Sequence, residues 1–308
     1  MRILVVGAGA IGGYFGGRLM EKGEEVTFLV REKRKQQLDQ NGLLIESVHG
    51  DLKMEPKTLL RGESAEPFDI ILVSTKSYQL EGGIESFRSY VNENTMILPL
   101  LNGYAHLDKF VSEFGEERVL GGLCFIESTL DHSGKILQTS PVHELVFGER
   151  SGKKTNRILS LQESFSGTKA AFTLSENIEQ DMWHKYLFIT TFSGVTSLFR
   201  SPIGPIREHE HGQKTIQILL KETAAIMRAI EAPIDIHIEE TQMKRILGLN
   251  YGMKSSLQRD MEKEQQTEAD HFFGYLLQHA TEKGIETPLL SAIYANLAVY
   301  GASLVSPK

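Results

Sequence analysis

Near its start the chain reads Ile3-Leu4-Val5-Val6-Gly7-Ala8-Gly9-Ala10-Ile11-Gly12. Four consecutive apolar residues, three of them β-branched, read as a buried strand bounded by a glycine. The glycines then recur as G-x-G-x-x-G, and an apolar pattern through Tyr14, Leu19 and Met20 opens a helix directly behind them. Each glycine has a physical task in that setting. Gly7 permits the tight turn, Gly9 lets a ligand's pyrophosphate approach the backbone, and Gly12 allows close packing of helix on strand. The exposed N–H groups and the positive end of the helix dipole face the anion. A glycine triplet alone is a weak signal, but a strand before it and a helix after it point to a bound dinucleotide rather than a merely structural turn.

Outward from this loop, Val26-Thr27-Phe28-Leu29-Val30, Ile70-Ile71-Leu72-Val73 and Met96-Ile97-Leu98-Pro99 repeat the short apolar run, with helical periodicity between most of them. That alternation predicts an α/β domain of Rossmann type with a mostly parallel sheet. Glycines and alternation predict one inserted hairpin over Gly42 to Leu52 and a second around Ser133-Gly134-Lys135. After about Glu176 strand-like runs vanish, glycine thins out, and long amphipathic stretches appear at Ile206 to Arg228 and Glu262 to Lys283. Two domains are expected: residues 1–176 binding NADP, and residues 177–308, all helical, binding the substrate. A chain of 308 residues is long enough for both to bury a core.

Hydrophobic residues at 41% and charged residues at 24% are those of a folded globular chain. The formal net charge of −7 argues against bulk electrostatic binding to nucleic acid. Cys124 is the sole cysteine, which excludes an internal disulfide and fits a reducing compartment, so a cytoplasmic location is expected. Its apolar neighbours make it a core residue rather than a nucleophile. The apolar run after Met1-Arg2 is too short for a targeting segment or membrane span. The scattered histidines give no pattern that demands a metal, and none is expected.

The end of the second strand faces the adenosine ribose in such folds. Here it reads Val30-Arg31-Glu32-Lys33-Arg34. Arg31, with Lys33 and Arg34 nearby, suits the 2′-phosphate of NADPH; Glu32 turned toward the ribose would favour NAD instead. The chemistry must come from the second domain. Lys185 lies among apolar neighbours in Met182-Trp183-His184-Lys185-Tyr186-Leu187-Phe188. Burial would lower its pKa and suit it to protonate a developing alkoxide, with His184 beside it to tune it. Spacing and composition alone favour a simpler role, in which the lysine stem covers apolar surface while its head stays wet. Ser255-Ser256 and Thr267-Glu268 form a further polar cluster, readable either as substrate contacts or as caps and surface.

Taken together these residues resemble the ketopantoate reductase (2-dehydropantoate 2-reductase) family over nearly the full length. Gly7 to Gly12 with Arg31 resembles its NADPH fingerprint, and Ser74-Thr75-Lys76 its strand-end lysine segment. Leu101-Asn102-Gly103 is similar to its asparagine-glycine turn, and Trp183-His184-Lys185 to its tryptophan-x-lysine signature. The resemblance implies a cofactor site of Gly7, Ala8, Gly9, Ala10, Ile11, Gly12, Arg31, Lys76 and Asn102, with Lys185 as general acid. It implies that Asn102 keeps substrate and lysine in register, that Ser256 contacts the carboxylate, and that Glu268 anchors a hydroxyl. The expected activity is NADPH-dependent reduction of ketopantoate to pantoate in pantothenate biosynthesis, with the nicotinamide in a cleft between domains and the enzyme as a homodimer. The family carries asparagines one and two helical turns after the lysine; here Ile189 and Ser193 stand there. Ser193 can keep a shorter substrate hydrogen bond. Ile189 cannot, a loss of roughly 1–3 kcal/mol against a buried polar group. Reduction of another branched or bulkier 2-keto acid is therefore an open alternative. A non-catalytic NADP-binding sensor is a second, distinguished by loss of the residues named here, all of which are present.

Overall fold

The computed structural model describes residues 1–305. It divides into two compact units, one of residues Met1–Leu101 with His106–Glu179, the other of Asn102–Ala105 with Gln180 onward. The short segment Asn102–Ala105, expected within the first domain, groups with the second unit.

In the first unit the apolar runs become strands β1 (Arg2–Val6), β2 (Glu25–Val30), β6 (Ile70–Val73) and β7 (Met96–Pro99), as the alternation predicts. A fifth strand, β5 (Lys57–Leu60), completes a parallel sheet of order β5-β2-β1-β6-β7. Its sequence, Lys-Thr-Leu-Leu, is too short and polar to announce itself. The interior of this sheet, Ile3, Val5, Phe28 and Leu72, is inaccessible to solvent.

Both expected hairpins are present: β3 (Leu43–Ser47) pairs antiparallel with β4 (Leu52–Met54), and β8 (Gly121–Leu130) with β9 (Ile136–Gly148). They join one second sheet of order β10-β9-β3-β4, with β10 (Ala171–Leu174) at its edge and β8 also on β9. The helix Ala10–Lys22 lies between the two sheets, so both of its faces are buried. Glycines make room for it. A Cβ on Gly16 would come 2.8 Å from Phe28 of the first sheet, and one on Gly17 2.7 Å from Ile45 of the second.

The second unit is helical. Its longest helix, Ile178–Phe199, carries Lys185 in its first half. Residues such as Met182, Tyr186, Leu187, Thr191 and Val195 are buried around its whole circumference, the mark of a helix inside a bundle. Around it lie the helices Ile203–Glu208, Glu210–Ala229, Ile238–Leu247, Ser256–Glu262, Tyr275–Lys283 and Pro288–Val305.

The two long stretches expected from periodicity are both interrupted. Residues 206–228 break at His209, which is extended and accepts the His211 N–H at Nδ1. The corner is tight enough that a Cβ on Gly212 would meet the Ile206 carbonyl at 1.9 Å. Residues 262–283 form no single helix: Glu264 takes a φ of 52° and residues 265–268 are irregular before a π-helical turn, Asp270–Gly274. Side-chain periodicity does not register such breaks, because they are made by backbone hydrogen bonds and close approach. No described helix is long and apolar enough to cross a membrane.

Candidate active site

In the first unit the glycine loop joins β1 to its helix with the geometry the sequence demands. Gly7 adopts φ 93° and donates its N–H to the Leu29 carbonyl at 3.1 Å. Ser74, at the end of β6, donates its hydroxyl to the Gly7 carbonyl at 3.0 Å. A Cβ on Gly12 would stand 2.1 Å from that Ser74 oxygen and 2.3 Å from the Gly7 carbonyl, so only glycine closes the packing there. Gly9 is the opposite case: nothing lies within 4 Å of where its Cβ would be. No side chain caps the helix at Gly9, and no acidic residue sits in the first turn. The orphan N–H groups of that turn and the open side of Gly9 fit a pyrophosphate.

The basic residues after β2 divide into two kinds. Arg31 stands as N-cap of the helix Glu32–Asn41, exposed, as are Glu32 and Lys33. Arg34 turns inward instead. Its Nε donates to the Ala8 carbonyl at 2.9 Å and its Nη1 to the Gly134 carbonyl at 2.7 Å. Arg34 thus ties the glycine loop to the β8–β9 turn, an anchoring role, whereas the sequence placed it beside a 2′-phosphate. Lys76 is half-buried and caps the short turn Ser77–Gln79 beyond β6. Ala8 is buried, and Ala10 and Ile11 are half-buried in the first helical turn.

The second unit holds a separate polar cluster. Lys185 is only 8% exposed, and its Nζ donates to Asn102 Oδ1 at 2.8 Å. The backbone carbonyl of Asn102 meets His271 Nε2, also at 2.8 Å. Gly103 follows with φ 85°, and Tyr104 stacks on Trp183 at 4.1 Å between ring centroids. The asparagine-glycine turn is thereby seated against the Lys185 helix. Tyr186, next to the lysine, donates its hydroxyl to the Phe272 carbonyl at 2.6 Å; burial pushes this phenol well above its usual range and keeps it a donor. Burial lowers the pKa of His271, opposed by the charge of Glu268. Glu268 itself is half-buried and lies two residues before the π-helical turn, separated from it by Ala269.

Other expected residues fall differently. Ser193 is buried and Ile189 half-buried, two turns and one turn beyond Lys185 on its side of the helix. Ser256 is exposed as the first residue of its helix. Its neighbour Ser255 is the buried one, capping the helix by accepting from Gln258 N and sharing a 2.8 Å hydrogen bond with Thr196. His184 does not turn toward Lys185: its Nε2 accepts the Asp235 N–H at 3.1 Å, about a third of a helical turn away from the lysine. Cys124 is buried. His271 and Tyr186 are the polar residues of this cluster that sequence reasoning missed. No motif marks either, and His271 is 169 residues from the carbonyl it meets.

These two constellations coincide with two family profiles. Residues 3–152 match "Ketopantoate reductase PanE/ApbA" and residues 177–301 match its C-terminal counterpart. The chain belongs to the ketopantoate reductase family. It is similar to an oxidoreductase of Bacillus subtilis (strain 168), the uncharacterized protein YkpB, with 45% identity over 302 residues, 98% of this chain and 99% of that one. The crystal structure of 2-dehydropantoate 2-reductase from Geobacter metallireducens GS-15 superposes with a TM-score of 0.87 at 26% identity, covering 97% of this chain and 99% of the other. A D-mandelate dehydrogenase solved with NADH and anilino(oxo)acetate shares the fold at a TM-score of 0.89 and 21% identity, covering 99% of this chain and 100% of the other. The chain is thus an oxidoreductase of this family, with its parallel-sheet first unit and helical second unit.

Proposed function

We propose that this oxidoreductase uses NADPH to reduce 2-dehydropantoate to pantoate, the reductive step of pantothenate synthesis, in the cytoplasm and as the homodimer that the family resemblance implies. The observation that carries the reading is the 2.8 Å hydrogen bond from the buried Lys185 ammonium to Asn102. A lysine whose only task was to cover apolar surface would keep its head in water.

The residues of the first unit fit the cofactor. The open face of Gly9 and the uncapped helix receive the pyrophosphate, and the exposed Arg31 guanidinium receives the 2′-phosphate. Bound there, NADPH would supply the hydride that adds to the keto carbon. Lys185 then gives a proton to the ketone oxygen as negative charge gathers on it, so that keto acid, NADPH and one proton yield hydroxy acid and NADP. Asn102 holds the ammonium by its Oδ1, which fixes where that proton is delivered. Ser256 and Ser193 offer hydroxyls to the substrate carboxylate and neighbouring oxygens, and Glu268 accepts from a substrate hydroxyl.

A second substrate fits one observation better. Ile189 presents a half-buried aliphatic group on the lysine's side of the helix, which suits a 2-keto acid with an apolar branch. The deciding experiment follows NADPH absorbance with ketopantoate and a panel of branched 2-keto acids, each repeated with NADH. Efficient oxidation of NADPH by ketopantoate is the expected result. Activity confined to apolar keto acids moves the substrate and keeps the chemistry, and no oxidation with any of them sinks the reductase reading in favour of an NADP sensor.

A further inference from the structure

His271 has no part in the chemistry assigned so far, yet it hydrogen-bonds the backbone of the residue that holds Lys185. A carbonyl oxygen only accepts, so the 2.8 Å contact between His271 Nε2 and the Asn102 carbonyl places the ring proton on Nε2. Asn102 is then held twice, at its backbone by His271 and at its side chain by Lys185. The local backbone is shaped for this contact. A Cβ on Gly103 would lie 2.9 Å from His271 Cδ2 and 3.0 Å from its Nε2, so a side chain there would push the ring off the carbonyl. On the other side, the π-helical turn that carries His271 is fastened to the Lys185 helix by the Tyr186 hydroxyl on the Phe272 carbonyl.

Resting on the reductase reading, we propose that His271 is a positioning residue for the proton transfer: it locks the Asn102 peptide, and through the Asn102 amide fixes the Lys185 ammonium at the point where the substrate oxygen is protonated. Burial favours the neutral ring, against the opposing charge of Glu268. The neutral Nε2–H form already makes the contact, so the bond persists at physiological pH. Such a tether acts first on the orientation of the acid, so its loss falls far more on kcat than on cofactor affinity.

Two variants of the full chain test this, His271→Phe, which keeps a ring and loses the donor, and His271→Gln, whose terminal amide can return an N–H to the same carbonyl. With NADPH and the best keto acid of the panel, His271→Phe should lower kcat by about tenfold or more, the size expected for an orienting hydrogen bond to a partly buried carbonyl. The KM for NADPH should change by less than about threefold, and His271→Gln should recover most of the loss in kcat. A second readout needs no turnover: the pH dependence of Lys185 acylation, followed by mass spectrometry, should shift in His271→Phe and return toward the parent profile in His271→Gln. A His271→Phe variant with parental kcat and acylation profile overturns the proposal. So does an equal loss in both variants accompanied by an equal fall in melting temperature, which would make the role purely structural. If the parent reduces no keto acid, the reductase reading fails on its own terms; an unmoved acylation profile would still overturn the tether, and a moved one would support it.

Discussion

Lys185 is held by Asn102 in the place its proposed chemistry requires. A lysine on a bundle helix ordinarily snorkels to water, but here the Asn102 amide takes the ammonium at 2.8 Å and keeps it in place at 8% exposure. Lys185→Ala should therefore lower kcat by about 10²–10⁴-fold, the usual worth of a positioned general acid, while leaving NADPH affinity within about twofold in a fluorescence titration. Unchanged turnover would remove Lys185 as the acid. Ile189 tests substrate choice at the same scale. Its side chain cannot hydrogen-bond a substrate hydroxyl, so Ile189→Asn should raise kcat/KM for ketopantoate relative to an unhydroxylated analogue by about tenfold, the scale of one hydrogen bond to a buried polar group. A ratio that does not move would show that Ile189 does not meet the substrate.

The elements act as a set of ties. The glycine loop is held by Ser74 from β6 and by Arg34, whose guanidinium bridges the Ala8 and Gly134 carbonyls. Arg31, one helical turn earlier, makes no such commitment and is exposed. The two arginines should consequently fail in different ways. Arg31→Ala should weaken NADPH by roughly 10- to 100-fold, a lost charge-assisted hydrogen bond, and leave NADH unaffected. Arg34→Ala should weaken both cofactors and lower the melting temperature, because it loosens the loop itself. Equal loss of NADPH and NADH in Arg31→Ala would take the 2′-phosphate away from that residue. In the second unit the π-helical turn plays the same part, joined to the Lys185 helix by Tyr186 and to Asn102 by His271.

Across the whole molecule, burial lowers the pKa of three histidines, His143, His184 and His271, in both units. The unfolded chain takes up protons on these residues near pH 6.5, where the folded chain does not. Their contribution is therefore present above pH 6.5 and is lost as the pH falls toward each folded value. Glu21, Glu24, Glu149 and Glu239, whose folded pKa values are lowered, add a further loss only as the pH drops through 4.5 and below. Melting temperature should thus decline already between pH 7 and pH 5.5, above the range in which these four glutamates lose their contribution. A flat profile over that interval, followed calorimetrically, would mean that the three rings are not held neutral by the fold.

Features whose causes are local could be read from the chain alone. A strand before the loop and a positive φ at Gly7 follow from what a few consecutive residues can sterically do. The parallel sheet, both hairpins and the helical second half were legible for the same reason, since period and turn chemistry are written along the chain. Other features arise only when distant segments pack together. β5 is a strand because β2, 30 residues earlier in register, offers it hydrogen bonds that its own Lys-Thr-Leu-Leu does not foreshadow. Arg31 and Arg34 look alike in the sequence and part company only when one meets Ala8 and Gly134. Lys185 is the same case at the centre of the site: its partner is 83 residues away, and that partner's own anchor is 169 residues from it. Such hydrogen bonds exist only once packing has brought distant segments within 3 Å and removed the water that would otherwise compete for them.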